Sequence, residues 1–516
     1  MSRLRPACSA RVAAPHQARR RSRNPDGSFC DVDGLPLPAR AATPAELSWT
    51  LSGTKPALHA GFRTPVMNTI TAAAEPAAFS TGAGARSLPE VHRTIAVPEA
   101  ADSSSGMRRM FAYFGPGYLV AVGYMDPGNW ATSLAGGSQF GYTLLTVILL
   151  SNLMAMLFQA AAVRLGVGAG LDLAQACRKN FSRPVSLLLW VFCEIAIVAC
   201  NLAEVIGMAI GLNLLFGIPL LAGVCITFLD VMLILALQTR GFRWLEAVIV
   251  VLVGTIGVCF AFQMAWLQPS VAAVLGGFVP RPEIVTNPQM LYLAVGIVGA
   301  TVMPHNLYLH SAIVQTRAHG QTPEGKREAV RFATIDSTIA LALALLVNAS
   351  IMILAAGAFH RPGVGPVTEL SQAYELLSPM LGVGIASALF GVALLCSGLS
   401  SSVTGTLAGQ IVMEGFLDIR ISPALRALLT RAIAIVPAII VTAWYGSAGA
   451  NSLLVFSQVV LSLQLPFAIV PLLMFTTGRK HLGALGFGRR TSLLLWAAAA
   501  VVVTLNVWML QRLLSA

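Results

Sequence analysis

From Met110 onward the chain is a succession of apolar windows separated by short polar segments. Each window approaches the roughly 20 residues that a helix needs to cross about 30 Å of hydrocarbon. The pattern predicts eleven spans, at 111–136, 142–163, 186–210, 214–237, 243–265, 289–315, 335–358, 381–412, 427–445, 451–475 and 492–513. The eighth window is the longest and turns polar toward its end, at Ser397, Ser400, Ser401, Ser402 and Thr404. Residues 1–106 follow no sustained helical or strand period and are rich in Ala, Pro, Ser, Thr, Gly and Arg. They are expected to form a disordered N-terminal extension, or to reflect an over-extended start with Met67 or Met107 as later candidates. The Arg-rich, acid-free beginning resembles a transit peptide but lacks the apolar core of a secretory signal. Residues 107–516 form the eleven-span domain.

Composition agrees with this pattern. Hydrophobic residues make up 56% and charged residues 11%, against about 45–50% and about 25% in soluble domains. An ordinary water-soluble enzyme is thereby excluded, and the expected class is an all-α polytopic membrane protein with the lipid bilayer as a partner. The net charge of +12 would suggest nucleic acid in a soluble chain, but its placement says otherwise. With the N-terminus cytoplasmic, seventeen Lys and Arg fall in the inner loops and only Arg281, Arg361 and Arg512 outside. This asymmetry is the positive-inside rule. It predicts a cell (inner) membrane protein with a cytoplasmic N-terminus and an external C-terminus, and no nucleic-acid partner. The eight cysteines contain no CxxC pair, and five lie in apolar stretches, where free Cys packs as a small hydrophobe. Nothing in the pattern requires an oligomer or a cofactor.

Two spans are interrupted. Span 1 contains Met125-Asp126-Pro127-Gly128-Asn129 and span 6 contains Met303-Pro304-His305-Asn306. Proline removes a backbone donor and clashes with the preceding turn. Freed carbonyls at membrane depth are tolerated only where they line a cavity or are buried in protein. Matching interruptions in spans 1 and 6 point to an inverted repeat, spans 1–5 and 6–10 with an eleventh helix, and to a binding site at the midplane. Asp126 is an ionisable group in an apolar setting, which is costly and functional by default. Asn129 adds an amide oxygen, the backbone before Pro304 frees carbonyls such as that of Ala300, and Met303 adds a thioether. Three oxygens and one soft sulfur suit a divalent transition metal better than magnesium or calcium.

These residues resemble the signature segments of the Nramp family, the proton-coupled manganese and iron transporters. The matching runs are 126–129 and 299–311, with 201–207, 409–416 and 457–466 in the right order, over about 107–516. The resemblance implies a LeuT-like fold of ten core helices plus one. It also implies transport of Mn²⁺ and Fe²⁺ with protons, and metal ligation by Asp126, Asn129, Met303 and the Ala300 carbonyl, with Gln458 contributing in one conformation.

Proton coupling needs titratable groups on a path, and the candidates are His305, His310, Glu194, Glu204 and Asp126 itself. Glu194, Asn201 and Glu204 form a polar stripe along span 3. Here the chain departs from the family pattern, which has an acid immediately before Leu-Ala-Glu, where this chain has Asn201. An amide carries no proton at physiological pH, so coupling is expected to be altered or looser. Asp230 and Asp336 are expected to pair with basic groups near the inner face. Arg317 and Arg431 are expected to snorkel at helix ends, with a gating role open for Arg317, and His310 has the alternative of bonding a neighbouring helix. Competing readings are a same-fold relative for magnesium, or for amino acids or sodium, and a membrane-embedded metal sensor or enzyme. Met303 speaks against magnesium, Asp126 against an amino-acid carboxylate. There is no HExxH motif and no Walker motif, and residues 1–106 lack the apolar periodicity expected of a folded signalling domain.

Overall fold

The computed structural model describes residues 87–98, 106–363, 365–419, 421–478 and 481–515. Among them, nine helices are long and apolar enough to cross a membrane. Two of the eleven expected spans hide from that count for physical reasons. Span 1 is split into Pro116–Gly123 and Pro127–Phe140, each too short alone. Spans 9 and 10 run together as Pro423–Thr476, and only Gly446, at φ 63° and ψ −147°, breaks the helical geometry between them. Glycine adopts that left-handed conformation without a Cβ penalty. The remaining spans are Leu145–Ala169 (span 2), Arg183–Phe216 (span 3), Leu220–Leu237 (span 4), Phe242–Leu267 (span 5), Pro288–Val302 with Pro304–Ile313 (span 6), Pro323–Phe359 (span 7), Ala386–Leu417 (span 8) and Arg489–Ser515 (span 11).

Helix ends follow capping chemistry rather than the edges of apolar windows. Span 7 begins well before its expected start at 335. Thr322 caps the Gly325 N–H at 3.1 Å and Pro323 occupies the first turn, the arrangement that starts a helix most readily. Short connecting helices at Leu173–Asn180, Val271–Gly277 and Leu370–Leu381 fall between the spans. The first is held by a capping box between Asp172 and Gln175.

Span 3 packs along span 8 and along the span 9–10 helix, while span 7 packs against both halves of span 1 and against span 2. Large apolar side chains such as Val251, Val258, Leu346, Ile433 and Leu493 are exposed, whereas the interior holds Asp, Glu, Asn, Gln, His and Arg. That inversion suits lipid outside and a polar pathway inside.

Part of the stretch expected to lack structure is folded. Strand β1 (Ile95–Ala96) pairs in parallel with β2 (Arg317–Ala318), which follows span 6. The pairing joins residues more than 200 positions apart over two residues each, too short and too distant to leave a periodic trace. Residues 1–86 and 99–105 of the expected extension lie outside the described residues.

Candidate metal site at the two helix breaks

Pro304 has no N–H, so the Ala300 carbonyl four residues earlier loses its helical partner. It accepts instead from Asn129 Nδ2 at 2.9 Å. The same Nδ2 donates to Asp126 Oδ1 at 2.7 Å, and the Asn129 backbone N–H reaches that oxygen at 2.9 Å. Asp126 thus caps the second half of span 1 while one amide ties its carboxylate to the broken backbone of span 6. All three residues are buried. A donor held between a carboxylate and a free carbonyl occupies the electrostatic position that a cation would take. Rotating the amide would present its oxygen there instead. Asp126 Oδ2 has no hydrogen-bond partner among the described residues.

Met303 sits at the second break with φ 30° and ψ 110°, a backbone region that costs a non-glycine residue about 1–3 kcal/mol. It is fully buried among Ala196, Ala199 and Cys200 of span 3 and Leu461 of span 10. Asn306 Nδ2 lies 3.6 Å from its sulfur. Gln458 of span 10 completes the group. Its Nε2 donates to Ser457 Oγ at 3.0 Å and its Oε1 has no partner among the described residues. Two glycines admit it. A Cβ at Gly128 would meet the Gln458 side chain, and one at Gly299 would meet the Gln458 carbonyl. The structure therefore brings Asp126, Asn129 and Ala300 into direct contact, with Met303 on the broken turn and Gln458 against both segments.

The other candidates divide into three groups. His305 is buried with neither ring nitrogen partnered among the described residues. His310 Nδ1 faces Gln159 Oε1 at 2.9 Å, and Gln159 Nε2 reaches the Tyr124 hydroxyl at 2.7 Å, which links His310 to the turn before Asp126. Glu204 and Asn201 converge on Arg431, with Nη1 at 3.4 Å from Glu204 Oε2 and 3.5 Å from Asn201 Oδ1. Glu194 is separate. It pairs with Arg426 at 3.6 Å and accepts from Trp190 Nε1 at 3.0 Å, so the span 3 stripe is interrupted.

Three expectations are corrected. Arg431 does not snorkel: it is buried, paired with Glu204 and Asp230 and bonded to Ser402. Asp230 does find a basic partner, as expected, in this buried Arg431. Asp336 makes no ion pair among the described residues but accepts from the N–H groups of Gly117 at 2.7 Å and Gly115 at 3.4 Å, fixing the start of span 1. Arg317 is also buried. Its Nη1 binds Glu246 Oε1 at 2.7 Å and its Nη2 the Phe114 carbonyl at 2.6 Å, which ties span 5 to the backbone just before span 1. Toward the opposite face opens a cavity of about 660 Å³, lined among others by Gln139, Tyr292, Glu369 and Asn451.

Sequence reasoning missed the residues that make the first break affordable. Asn348 Nδ2 donates to the Tyr124 carbonyl at 2.6 Å, and the Met125 carbonyl accepts from Ser397 Oγ at 2.5 Å and from Trp130 Nε1 at 3.2 Å. The signal was present as polar residues inside the apolar windows of spans 7 and 8.

Residues 117–512 match the family described as Nramp, natural resistance-associated macrophage protein-like. The divalent metal cation transporter MntH of Bradyrhizobium diazoefficiens is 60% identical over 425 residues, covering 82% of this chain and 94% of that protein. The divalent metal cation transporter MntH of Nostoc sp. is 58% identical over 426 residues, covering 83% and 96%. The crystal structure of the Eremococcus coleocola manganese transporter, in complex with an aromatic bis-isothiourea substituted compound, superposes with a TM-score of 0.76 at 41% identity. That match covers 82% of this chain and 90% of the other. MhsT in complex with L-phenylalanine, at a TM-score of 0.52 and 17% identity, shares the fold alone. The fold is the LeuT-like inverted repeat.

Proposed function

The chain belongs to the Nramp family, and we propose that it imports divalent transition-metal ions, Mn²⁺ and Fe²⁺, together with protons across the cell (inner) membrane. It is a transporter, not an enzyme. The proposed orientation places the N-terminus in the cytoplasm and the C-terminus outside, following the seventeen-to-three division of basic residues.

One observation carries the reading: the Asn129 amide donates at once to Asp126 and to the carbonyl that Pro304 releases from span 6. A divalent cargo replaces that donor. Asp126 supplies charge through both oxygens, Ala300 and the rotated Asn129 amide supply neutral oxygens, and Met303 supplies a sulfur that distinguishes Mn²⁺ and Fe²⁺ from Ca²⁺ and Mg²⁺. Gln458, pressed against both breaks, contributes its free Oε1 in one conformation.

For the proton, His305 and Glu204 are the groups best placed beside the site, and His310 communicates with the first break through Gln159 and Tyr124. Asn201 leaves Arg431 with Glu204 and Asp230 as its acidic partners, so proton exit rests on Glu204 and His305, with Glu194 beyond the interruption. Coupling is accordingly looser than in a chain with an acid at 201. The test is uptake of Mn²⁺, Fe²⁺, Ca²⁺ and Mg²⁺ into liposomes, with proton flux recorded in parallel, for the wild type, Asp126→Ala and Met303→Ala. Loss of Mn²⁺ uptake in the first variant and narrowed Mn²⁺-over-Ca²⁺ preference in the second are expected. Unchanged selectivity in Met303→Ala would remove the sulfur from the site. Tight coupling abolished only by changes at Glu204 or His305 would make Asn201 irrelevant.

A further inference from the structure

The segment 87–98 has two anchors on different parts of the bundle. At one end the Leu88 side chain is buried and its N–H donates to Glu414 Oε2 at 2.9 Å, at the inner end of span 8. At the other end Ile95 and Ala96 pair with Arg317 and Ala318. The Arg93 N–H donates to the Gln315 carbonyl at 3.0 Å, and Arg93 Nη2 reaches the His319 carbonyl at 2.9 Å. Leu88 and Arg93 hold φ values of 50° and 54°, which non-glycine residues adopt only where surrounding contacts fix them.

Arg317, the strand partner of Ile95, is the residue whose guanidinium bridges Glu246 of span 5 and the Phe114 carbonyl before span 1. The segment therefore grips the backbone of the inner closure while its other end is locked into span 8. Between the anchors, Leu88, Glu90 and Val91 cover a cavity of about 440 Å³ shared with Leu235, Phe242 and Leu407.

We propose that Leu88 and Ile95 are positioning residues of the transport cycle, acting through Glu414 and Arg317 to hold the Arg/Lys-rich face shut. The proposal rests on the transport reading above. Alternating access rocks one group of helices against the other around a fixed site. Span 6 and span 8 then separate at this face, and a strap fastened to both must release one anchor first. Removing either anchor favours the state open to the inside.

The test uses the full chain in oriented vesicles with Cys225→Ser as background and Ala448→Cys as reporter. Ala448 lines the large cavity toward the opposite face, so its labelling by a membrane-impermeant thiol reagent from outside reads the outward-accessible population. Leu88→Asp, which places a carboxylate beside Glu414, and Ile95→Pro, which removes an N–H from the strand facing β2, are each expected to shift the equilibrium about tenfold toward the inward-open state, the shift expected for losing one buried leucine or one short ladder, and so to lower the labelling rate. A variant that merely loosens the fold would label faster, not slower. Unchanged or faster labelling in both variants overturns the proposal. Mn²⁺ uptake by the background chain is measured alongside. Its absence would sink the transport reading, while the labelling rates still judge the strap.

Discussion

Two buried polar regions lie side by side in this bundle and are built on opposite principles. Around Arg431, every charge has an answer. The guanidinium meets Glu204 and Asp230, Ser402 bonds both Arg431 and Asp230, Asn201 returns its amide to the Ile197 carbonyl, and Cys200 donates to Glu204. Around the two helix breaks, Asp126 Oδ2, both His305 nitrogens, Asn306 Oδ1 and Gln458 Oε1 have no partner among the described residues. Buried polar groups are normally paired, because leaving one unpaired costs about 1–3 kcal/mol. A saturated network gains nothing from a new ligand, whereas a site that leaves buried polar groups unsatisfied does. The contrast supports the proposed cargo site at the breaks and a charge-compensating role for Arg431.

The comparison can be broken most decisively at one charged residue in each region, Asp126 and Arg431. Asp126→Asn is expected to reduce Mn²⁺ uptake by at least about 100-fold, because the site loses its one formal charge, while leaving the detergent melting temperature nearly unchanged. Arg431→Leu is expected to do the reverse, destabilising the fold by about 3–5 kcal/mol through two uncompensated buried carboxylates. Differential scanning fluorimetry beside liposome uptake checks both. Similar melting losses in the two variants would erase the distinction.

Gly128→Ala offers a subtler intervention. Its new Cβ would displace Gln458, and overpacking of about 1–3 kcal/mol should lower uptake by roughly tenfold without loss of folded protein. Retained wild-type uptake would show that Gln458 is not needed at the breaks. Met303→Ala should leave Mn²⁺ transport measurable while reducing the Mn²⁺-over-Ca²⁺ preference by about tenfold, read from competition uptake.

The smallest effect concerns another buried acid, Asp172, outside the spans. Burial pushes the Asp172 carboxyl up to about 6, against hydrogen bonds from the Gln175 and Ala174 backbone. The folded chain thus holds this proton more tightly than an unfolded chain, whose Asp titrates near about 3.9. Its contribution to stability is complete below about pH 4 and is lost as pH rises through about 6. Melting temperatures of the wild type and Asp172→Asn between pH 4 and 7 should differ in slope in that window.

Much of this was legible in the chain itself, for identifiable reasons. A proline in an apolar window forces its backbone consequence locally, so Asp126, Asn129, the Ala300 carbonyl and Met303 could be named from residue types and spacing. Span number was legible because hydrocarbon thickness and loop charge are independent constraints that agree. The depth of Arg431 was not, since a basic residue a few positions inside a helix reads the same whether it snorkels or is drawn inward by acids on spans 3 and 4. Asp336 was misread for a similar reason: backbone N–H donors, which every residue has, leave no mark on the pattern. The β1–β2 pairing was invisible because two residues carry no period.

Anomalous diffraction from crystals soaked with Mn²⁺ tests the central claim most directly. The account predicts a peak within coordination distance of Asp126, the Ala300 carbonyl and the Met303 sulfur, absent from Asp126→Asn crystals. A peak among Glu204, Asp230 and Ser402 instead, or one that persists between the breaks without the Asp126 charge, would contradict it.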